Sequence, residues 1–147
     1  SVVKQAHCHV LVVPELATFK NFSTVGFAAD LHETDPYHLW KLCKMMEPFH
    51  PVLRCVHIEE PGKTAETEIK FEEMKEFFAN NTVALQITFQ AVEEDSIQNG
   101  LVDFANDWKL DLLAMPSIDR DALSRIFHIS MTKQMAVQSK IPLLVMK

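Results

Sequence analysis

The segment FSTVGFAAD, residues 22–30, decides the fold of this chain. Its short apolar run ends at a charged residue, Asp30. This pattern is typical of a buried central strand of a parallel sheet, with the charged residue at the strand's carboxyl end. Beyond Pro36 the apolar residues recur at i, i+3, i+4 and i+7, at Leu39, Leu42, Cys43 and Met46. Since that spacing is one face of a helix, we predict a doubly wound α/β fold in which strands and helices alternate.

The same alternation continues along the rest of the chain. Strand patterns recur over residues 52–58, 82–92, 110–115 and 142–147, and helical patterns over 65–79, 95–109 and 120–139. Asp35 is predicted to cap the first long helix, and Pro116 to end the strand over 110–115. The strand over 82–92 has one polar face and is predicted at a sheet edge. The helix over 65–79 is predicted to bury Ile69, Met74, Phe77 and Phe78.

Size and charge narrow the class of protein. The 147 residues are 48% hydrophobic, which suits one domain with a full core. The net charge of -6, spread along the chain, argues against a nucleic-acid partner. No apolar run reaches the roughly 18 residues of a membrane helix, and the N-terminal run is too short for a signal peptide. The sequence therefore predicts a cytoplasmic protein with no membrane partner.

The beginning and the end of the chain match each other. Residues 5–13, QAHCHVLVV, align in register with residues 138–146, QSKIPLLVM. Residues 1–15 are therefore predicted to be the closing strand of a preceding copy, 16–21 a linker, and 22–147 the domain itself. Because bare apolar edges promote aggregation, we predict antiparallel pairing within one chain or between two. The pairing residues would be Val10, Leu11, Val12 and Val13 with Leu143, Leu144, Val145 and Met146.

Four short stretches carry a resemblance to a known family. DLLAM at 111–115, LSRIF at 123–127 and IPLLV at 141–145 are similar to the segments D-L-I-V-M, L-S-R-L-L and C-P-V-L-V of the universal stress proteins. FAAD at 27–30 is similar to that family's first strand. The chain resembles the second half of a tandem member of this family. The resemblance implies an adenine nucleotide alpha-hydrolase-like fold with a five-stranded parallel sheet of order 3-2-1-4-5. The N-terminal strand would be added to this sheet in antiparallel orientation. The resemblance also implies pairing with a sister domain or in a homodimer through closing strands.

The glycine loop of the ATP-binding members is missing here. Those members carry G-x2-G-x9-G-[S/T] after the fourth strand, where glycines let backbone N–H groups approach phosphate oxygens. This chain has Pro116, Asp119 and Ile129 at the glycine positions, and only the Ser130 hydroxyl remains. We therefore expect a non-catalytic domain without ATP or another cofactor, acting by pairing in a stress response. The alternative, a weak ATPase or nucleotide sensor, would bind ATP or AMP through Asp30, Met115, Ser117, Arg120 and Ser130.

The histidines give weaker hypotheses. His7, Cys8 and His9 could begin a metal or redox site, but no further ligand stands at metal-ligand spacing, so no metal is predicted. His32 and His38 flank the predicted carboxyl edge of the first strand, where open sheets bind ligands. Either could contact a small molecule.

The remaining candidates are thiols and hydroxyls. Cys43 and Cys55 fall at core positions and are predicted to be reduced, inert thiols. No serine has an assigned base, so no catalytic residue is predicted. An anion or a phosphorylated hydroxyl is a further possibility in the C-terminal region, at Ser124, Ser130 and Thr132 beside Arg120, Arg125 and Lys133.

Overall fold

The computed structural model describes residues 2–117 and 141–147 of the chain. Its strands are β1 (Val10–Val12), β2 (Thr24–Ala28), β3 (Val52–Glu59), β4 (Ile87–Glu93), β5 (Leu112–Pro116) and β6 (Leu143–Met146). Its helices are α1 (Val2–Gln5), α2 (Asp35–Met46), α3 (Thr64–Asn80) and α4 (Ile97–Asp107), and a 3-10 turn, Glu47–Phe49, follows α2. No helix in these ranges has the length and apolarity needed to cross a membrane. The helix predicted over 120–139 lies outside the described residues.

The strands form one sheet in the order β1-β6-β5-β2-β3-β4. β2 lies at the centre and pairs parallel with β3 and with β5. β4 adds to β3 and β6 adds to β5, both parallel. With β1 set aside, this is the order 3-2-1-4-5 of a doubly wound sheet, so the predicted fold is confirmed. The predicted edge position of β4 is confirmed as well.

β1 covers the opposite edge of the sheet. It pairs antiparallel with β6 within one chain, through Val10↔Val145, Leu11↔Leu144 and Val12↔Leu143. The extra antiparallel strand is therefore confirmed. Val13 lies beyond the end of β1 and is 58% exposed, so the ladder is one residue shorter than the sequence predicts.

Apolar side chains on the two faces of the sheet form two cores. One contains Val25 and Phe27 of β2 with buried residues of α2 and α3, and the other contains Val56 and Leu113 with buried residues of α4. A Cβ at Gly26 would lie 2.5 Å from the Leu110 Cδ1 atom. Because that distance is far inside van der Waals contact, glycine lets Leu110 pack directly against β2.

The start of α2 differs from the sequence prediction. The N-cap residue is Thr34, which makes no side-chain capping bond, so the prediction of Asp35 as the cap is wrong. The Asp35 carboxylate instead accepts the backbone N–H groups of Asp30 and Leu31, each at 3.0 Å. Leu31 has a φ of 64°, and this left-handed turn brings both N–H groups back to the beginning of the helix.

Burial on α3 also differs from the prediction. Ile69 is 62% exposed, whereas Thr67 and Phe71 are 2% and 5% exposed. Thr67, Phe71 and Met74 lie at i, i+4 and i+7, and Ile69 is turned about 200° away from Thr67 around the helix. The predicted burial of Ile69 is therefore wrong, and a threonine takes the core-facing position.

The start of β4 and the end of β5 differ from the boundaries predicted from the sequence. The strand predicted over 82–92 begins only at Ile87, because its neighbour β3 begins at Val52 and the ladder between them begins at Leu53↔Ile87. β5 ends at Pro116, which is included in the strand opposite Met146 of β6, so the strand ends one residue later than predicted. Proline is tolerated at the end of a strand, where the ladder does not continue through its missing N–H.

Ser96 caps α4, and its removal should destabilise the domain modestly. Its Oγ accepts a hydrogen bond from the Asn99 N–H at 3.2 Å. Ser96→Ala is expected to lower the free energy of unfolding by about 1 kcal/mol, because that N–H loses its partner. Urea denaturation measures the change. Ser96→Asp keeps a capping oxygen and should retain most of the stability, so an equal loss in both variants would contradict the capping role.

Candidate functional site

The carboxyl ends of β2, β3 and β5 meet at one edge of the sheet. The chain passes from β2 to β3 on one side and reaches β5 on the other, so this edge is a topological switch point, where open α/β sheets bind ligands. A cavity of about 90 Å³ lies there, lined by Asp30 and Met115, with Ile97 and Leu101 of α4 also in its wall. The fold thus brings two of the predicted site residues to one small cavity.

Asp30 is held in the loop that follows β2. Its Oδ1 accepts the backbone N–H of His32 at 3.2 Å, while its own N–H donates to Asp35. Asp35 is fully buried, and burial, followed by the negative charge of Asp30, raises the pKa of its carboxyl to about 8. The cavity wall therefore carries one exposed acidic group, Asp30, which interacts with a buried one, Asp35, at the start of α2.

The end of β5 offers little to a phosphate group. Pro116 is buried and has no N–H to donate. The N–H of Ser117 donates to the backbone oxygen of Met146 at 2.8 Å, so it is committed to β6. Backbone N–H groups are what a glycine loop presents to phosphate oxygens, and the first two positions beyond Met115 present none.

Several predicted site residues cannot be placed against this cavity. They lie outside the described residues: Asp119, Arg120, Ser124, Arg125, Ile129, Ser130, Thr132 and Lys133. The alternative nucleotide site and the phosphorylation site that depend on them stay predictions.

His57 and Glu59, at the carboxyl end of β3, also belong to this edge, and neither is among the site residues predicted from the sequence. The His57 Nδ1–H donates to the Ala29 oxygen at 2.7 Å, which ties β3 to the end of β2. Glu59 is only 5% exposed, and its Oε2 accepts the Thr67 hydroxyl. Their signal was a histidine and a glutamate two positions apart at the end of an apolar strand, since such residues share one face.

Three other histidines, His9, His32 and His38, also have hydrogen-bond partners. His32 Nδ1 lies 2.9 Å from the Thr34 hydroxyl, and His38 Nδ1–H donates to the Thr34 carbonyl at 3.0 Å. Burial lowers the pKa of His38. His9 Nδ1 accepts the backbone N–H of Lys147 at 3.0 Å. Among residues 2–117 and 141–147, no three metal-ligating side chains come together, so His7, Cys8 and His9 form no complete metal site there.

Two of the cysteines are core residues. Cys43 and Cys55 are buried and free. Burial raises the pKa of the Cys43 thiol to about 12, and burial also raises the pKa of the Cys55 thiol well above its ordinary range. Because the thiolate is the reactive form, these thiols are poor nucleophiles. Cys8 is free and exposed.

Comparison with known proteins links the fold to one family. The model of the universal stress protein family matches residues 22–147. A universal stress protein in complex with cAMP shares the fold with a TM-score of 0.65 at 16% identity, over 87% of this chain and 98% of that one. A universal stress protein from Archaeoglobus fulgidus in complex with dAMP gives 0.61 at 9% identity, over 87% and 100%. No curated protein sequence matches the chain significantly.

A third solved structure differs in length. The universal stress protein from Archaeoglobus fulgidus DSM 4304 has a TM-score of 0.65 at 15% identity and covers 95% of this chain, which in turn covers 49% of that protein. This chain thus spans about half the length of that relative. At these identities the structures establish a shared fold and nothing finer.

Proposed function

We propose, since this chain belongs to the universal stress protein family, that it is a non-catalytic member that does not bind ATP and acts by pairing with a sister domain. The main support for the absence of ATP binding is the size of the cavity lined by Asp30 and Met115, which we call the switch-point cavity. Its volume of about 90 Å³ compares with about 300–1,000 Å³ for typical small-molecule sites.

The chemistry of the phosphate side supports the same proposal. Pro116 stands where the glycine-bearing members have their first loop glycine, and the next N–H, that of Ser117, is bonded to Met146. Asp119 and Ile129 replace the other two glycines in the sequence. An aspartate repels phosphate, and isoleucine is strongly disfavoured at positive φ. The loss of ATP binding therefore has a cause at each position.

The pairing proposal is supported by the edge formed by β1 and β6. Segment 5–13 resembles segment 138–146, and it lies antiparallel on β6, as the closing strand of a sister domain would. Apolar residues in and after β1 remain exposed: Leu11 51%, Val13 58%, Leu16 67% and Phe19 66%. A sister domain attached to β1 would bury them, and the chain's match to half of a longer family member is consistent with a tandem arrangement.

Equilibrium titration with a fluorescent ATP analogue tests the loss of nucleotide binding. We expect no saturable signal up to about 1 mM, an affinity weaker than about 4 kcal/mol. The Archaeoglobus fulgidus protein crystallised with dAMP is the positive control, titrated with labelled dAMP. Micromolar binding of the ATP analogue to this chain would overturn the proposal.

AMP binding is the second candidate function. It is favoured by the Asp30 carboxylate on the cavity and by the two fold neighbours solved with cAMP and dAMP. Under this alternative, labelled AMP binds saturably and Asp30→Asn weakens it at least about ten-fold. Glu33→Gln, an exposed neighbour in the same loop, is the matched control and should leave the affinity unchanged.

A further inference from the structure

A second cavity lies on the other side of the carboxyl end of β3, between that strand and α3. Its volume is about 590 Å³, within the range of sites that hold small molecules. Its apolar wall includes Leu31 and Ile69, and its polar wall includes His57, Glu59 and Thr67. We call it the β3–α3 cavity. Asp30, Met115 and Pro116 do not line it, but His57 and Ile58 line both this cavity and the one at the switch point.

Glu59 is the residue that makes this cavity unusual. It is a carboxylate that is 95% buried, with a relative exposure of 5%. Its Oε2 accepts the Thr67 hydroxyl, but its buried Oε1 accepts no hydrogen bond from the described residues. A buried acceptor left without a donor costs about 1–3 kcal/mol, and more when it is charged. This unfavourable free energy arises at a residue that lines a cavity, where a bound ligand could supply the missing donor.

His57 places a second acceptor in the same wall. Its Nδ1 lies 2.7 Å from the Ala29 carbonyl oxygen, and a carbonyl can only accept, so Nδ1 carries the proton. In the neutral ring the other nitrogen, Nε2, is then an acceptor. No hydrogen bond links Nε2 to the described residues. His57 and Glu59 are two residues apart in β3, so both side chains lie on one face of the sheet.

The charges around the cavity leave Glu59 without a cationic partner. The lysines in the wall are engaged on the surface, Lys63 with Glu60 at 3.6 Å and Lys70 with Glu73 at 3.1 Å. No ion pair among the described residues joins either lysine to Glu59. The Glu59 carboxylate would therefore be complemented by a ligand group that donates hydrogen bonds and carries positive charge. A metal ion does not fit this role, because no three metal-ligating groups meet in the described residues.

We propose that the β3–α3 cavity binds a small aliphatic amine, with its ammonium group donating to Glu59 and His57 and its carbon chain on Leu31 and Ile69. An ammonium group has three donors and no acceptor, which complements a carboxylate oxygen and an imidazole nitrogen that both lack a donor among the described residues. Charge-assisted hydrogen bonds of this kind are roughly twice as strong as neutral ones.

Calorimetric titration of the 147-residue chain with 1,4-diaminobutane tests the proposal. We expect saturable binding at millimolar or lower concentration, and no binding of 1,4-butanediol or succinate, which match the chain length without the positive charge. Glu59→Gln keeps an acceptor for Thr67 and is expected to weaken binding at least about ten-fold. Glu76→Gln makes the same charge change at an exposed position of α3 outside the cavity and should change the affinity less than about two-fold.

Amide NMR of the unmodified chain gives a second readout that does not depend on a variant folding. Chemical-shift changes on adding 1,4-diaminobutane should concentrate at Leu31, Glu59 and Thr67. The proposal is overturned if no saturable binding occurs up to about 10 mM. It is overturned equally if Glu59→Gln and Glu76→Gln bind alike, if the shifts follow the exposed glutamates of α3, or if Mg²⁺ binds the cavity in preference to the amine.

Discussion

Asp35→Asn is expected to stabilise the domain at pH 8 and to flatten its stability profile between about pH 4 and pH 8. The Asp35 carboxyl is fully buried, and its pKa is raised from 3.8 to about 8, first by burial and then by the charge of Asp30. Asparagine has the same shape, keeps an oxygen for the Asp30 and Leu31 N–H groups, and carries no charge at any pH.

The direction of the effect follows from proton linkage. Between pH 4 and pH 8 the folded state holds a proton on Asp35 that the unfolded state has already released. The unfolded state therefore binds fewer protons, and the free energy of unfolding falls as the pH rises through this window. Each pKa unit corresponds to about 1.4 kcal/mol, so the total loss is on the order of a few kcal/mol. Below about pH 4 this contribution is fully present.

Urea denaturation at pH 4.5, 6 and 8 measures the profile. The unmodified chain should lose stability across this series through Asp35, while Asp35→Asn should not show that loss. Asp103→Asn removes an exposed carboxylate from α4 and is the matched control, expected to keep the slope of the unmodified chain. Identical slopes for Asp35→Asn and the unmodified chain would show that Asp35 is ionised in the folded state throughout.

Much of the fold could be predicted because its determinants are local periodicities. The change from a short apolar run ending at Asp30 to the i, i+3, i+4 stripe of α2 gives the alternation of the sheet and its helices. The match between residues 5–13 and 138–146 predicted the β1–β6 pairing. In both cases the residue pattern determines which face of an element is buried, and burial then determines its partner.

The predictions of local structure that were wrong concern positions where a polar group distant in the sequence determines which residue is buried or capped. Thr67 is buried in place of Ile69 because the Glu59 carboxylate lies opposite its hydroxyl, and an apolar side chain would leave that carboxylate without the bond. Asp35 turns away from its own helix because the left-handed Leu31 presents two N–H groups to it. Neither partner is visible from the spacing of apolar residues.

The candidate site also contains residues that could be predicted from the sequence and residues that could not. Asp30 and Met115 meet at the switch-point cavity, as expected for residues at the carboxyl ends of adjacent parallel strands. Their role toward a nucleotide stays a prediction, as do those of Arg120 and Ser130. His57 was overlooked because a histidine inside an apolar strand resembles an ordinary core residue until its Nδ1 partner is known.

Removal of residues 1–13 is expected to convert the chain into a dimer. The four residues of β6 are all buried, with exposures of 0–7%, and within residues 2–117 and 141–147 only β1 pairs with the outer edge of β6. A chain that begins at Pro14 would expose that edge, and two copies can restore the antiparallel ladder by pairing β6 with β6 across a two-fold axis. Light scattering coupled to size exclusion should show twice the mass of the shortened chain.

Adding back the missing strand separates edge pairing from general loss of stability. A synthetic peptide of residues 5–15, QAHCHVLVVPE, should bind the shortened chain and return it to a one-to-one complex, because it supplies the three ladder residues and the His9 acceptor for the Lys147 N–H. The same peptide with Val10 replaced by proline loses the ladder N–H opposite Val145 and should not. If the shortened chain stays folded and monomeric and ignores the peptide, the β1–β6 ladder is not a pairing surface, and the proposal of sister-domain pairing fails with it.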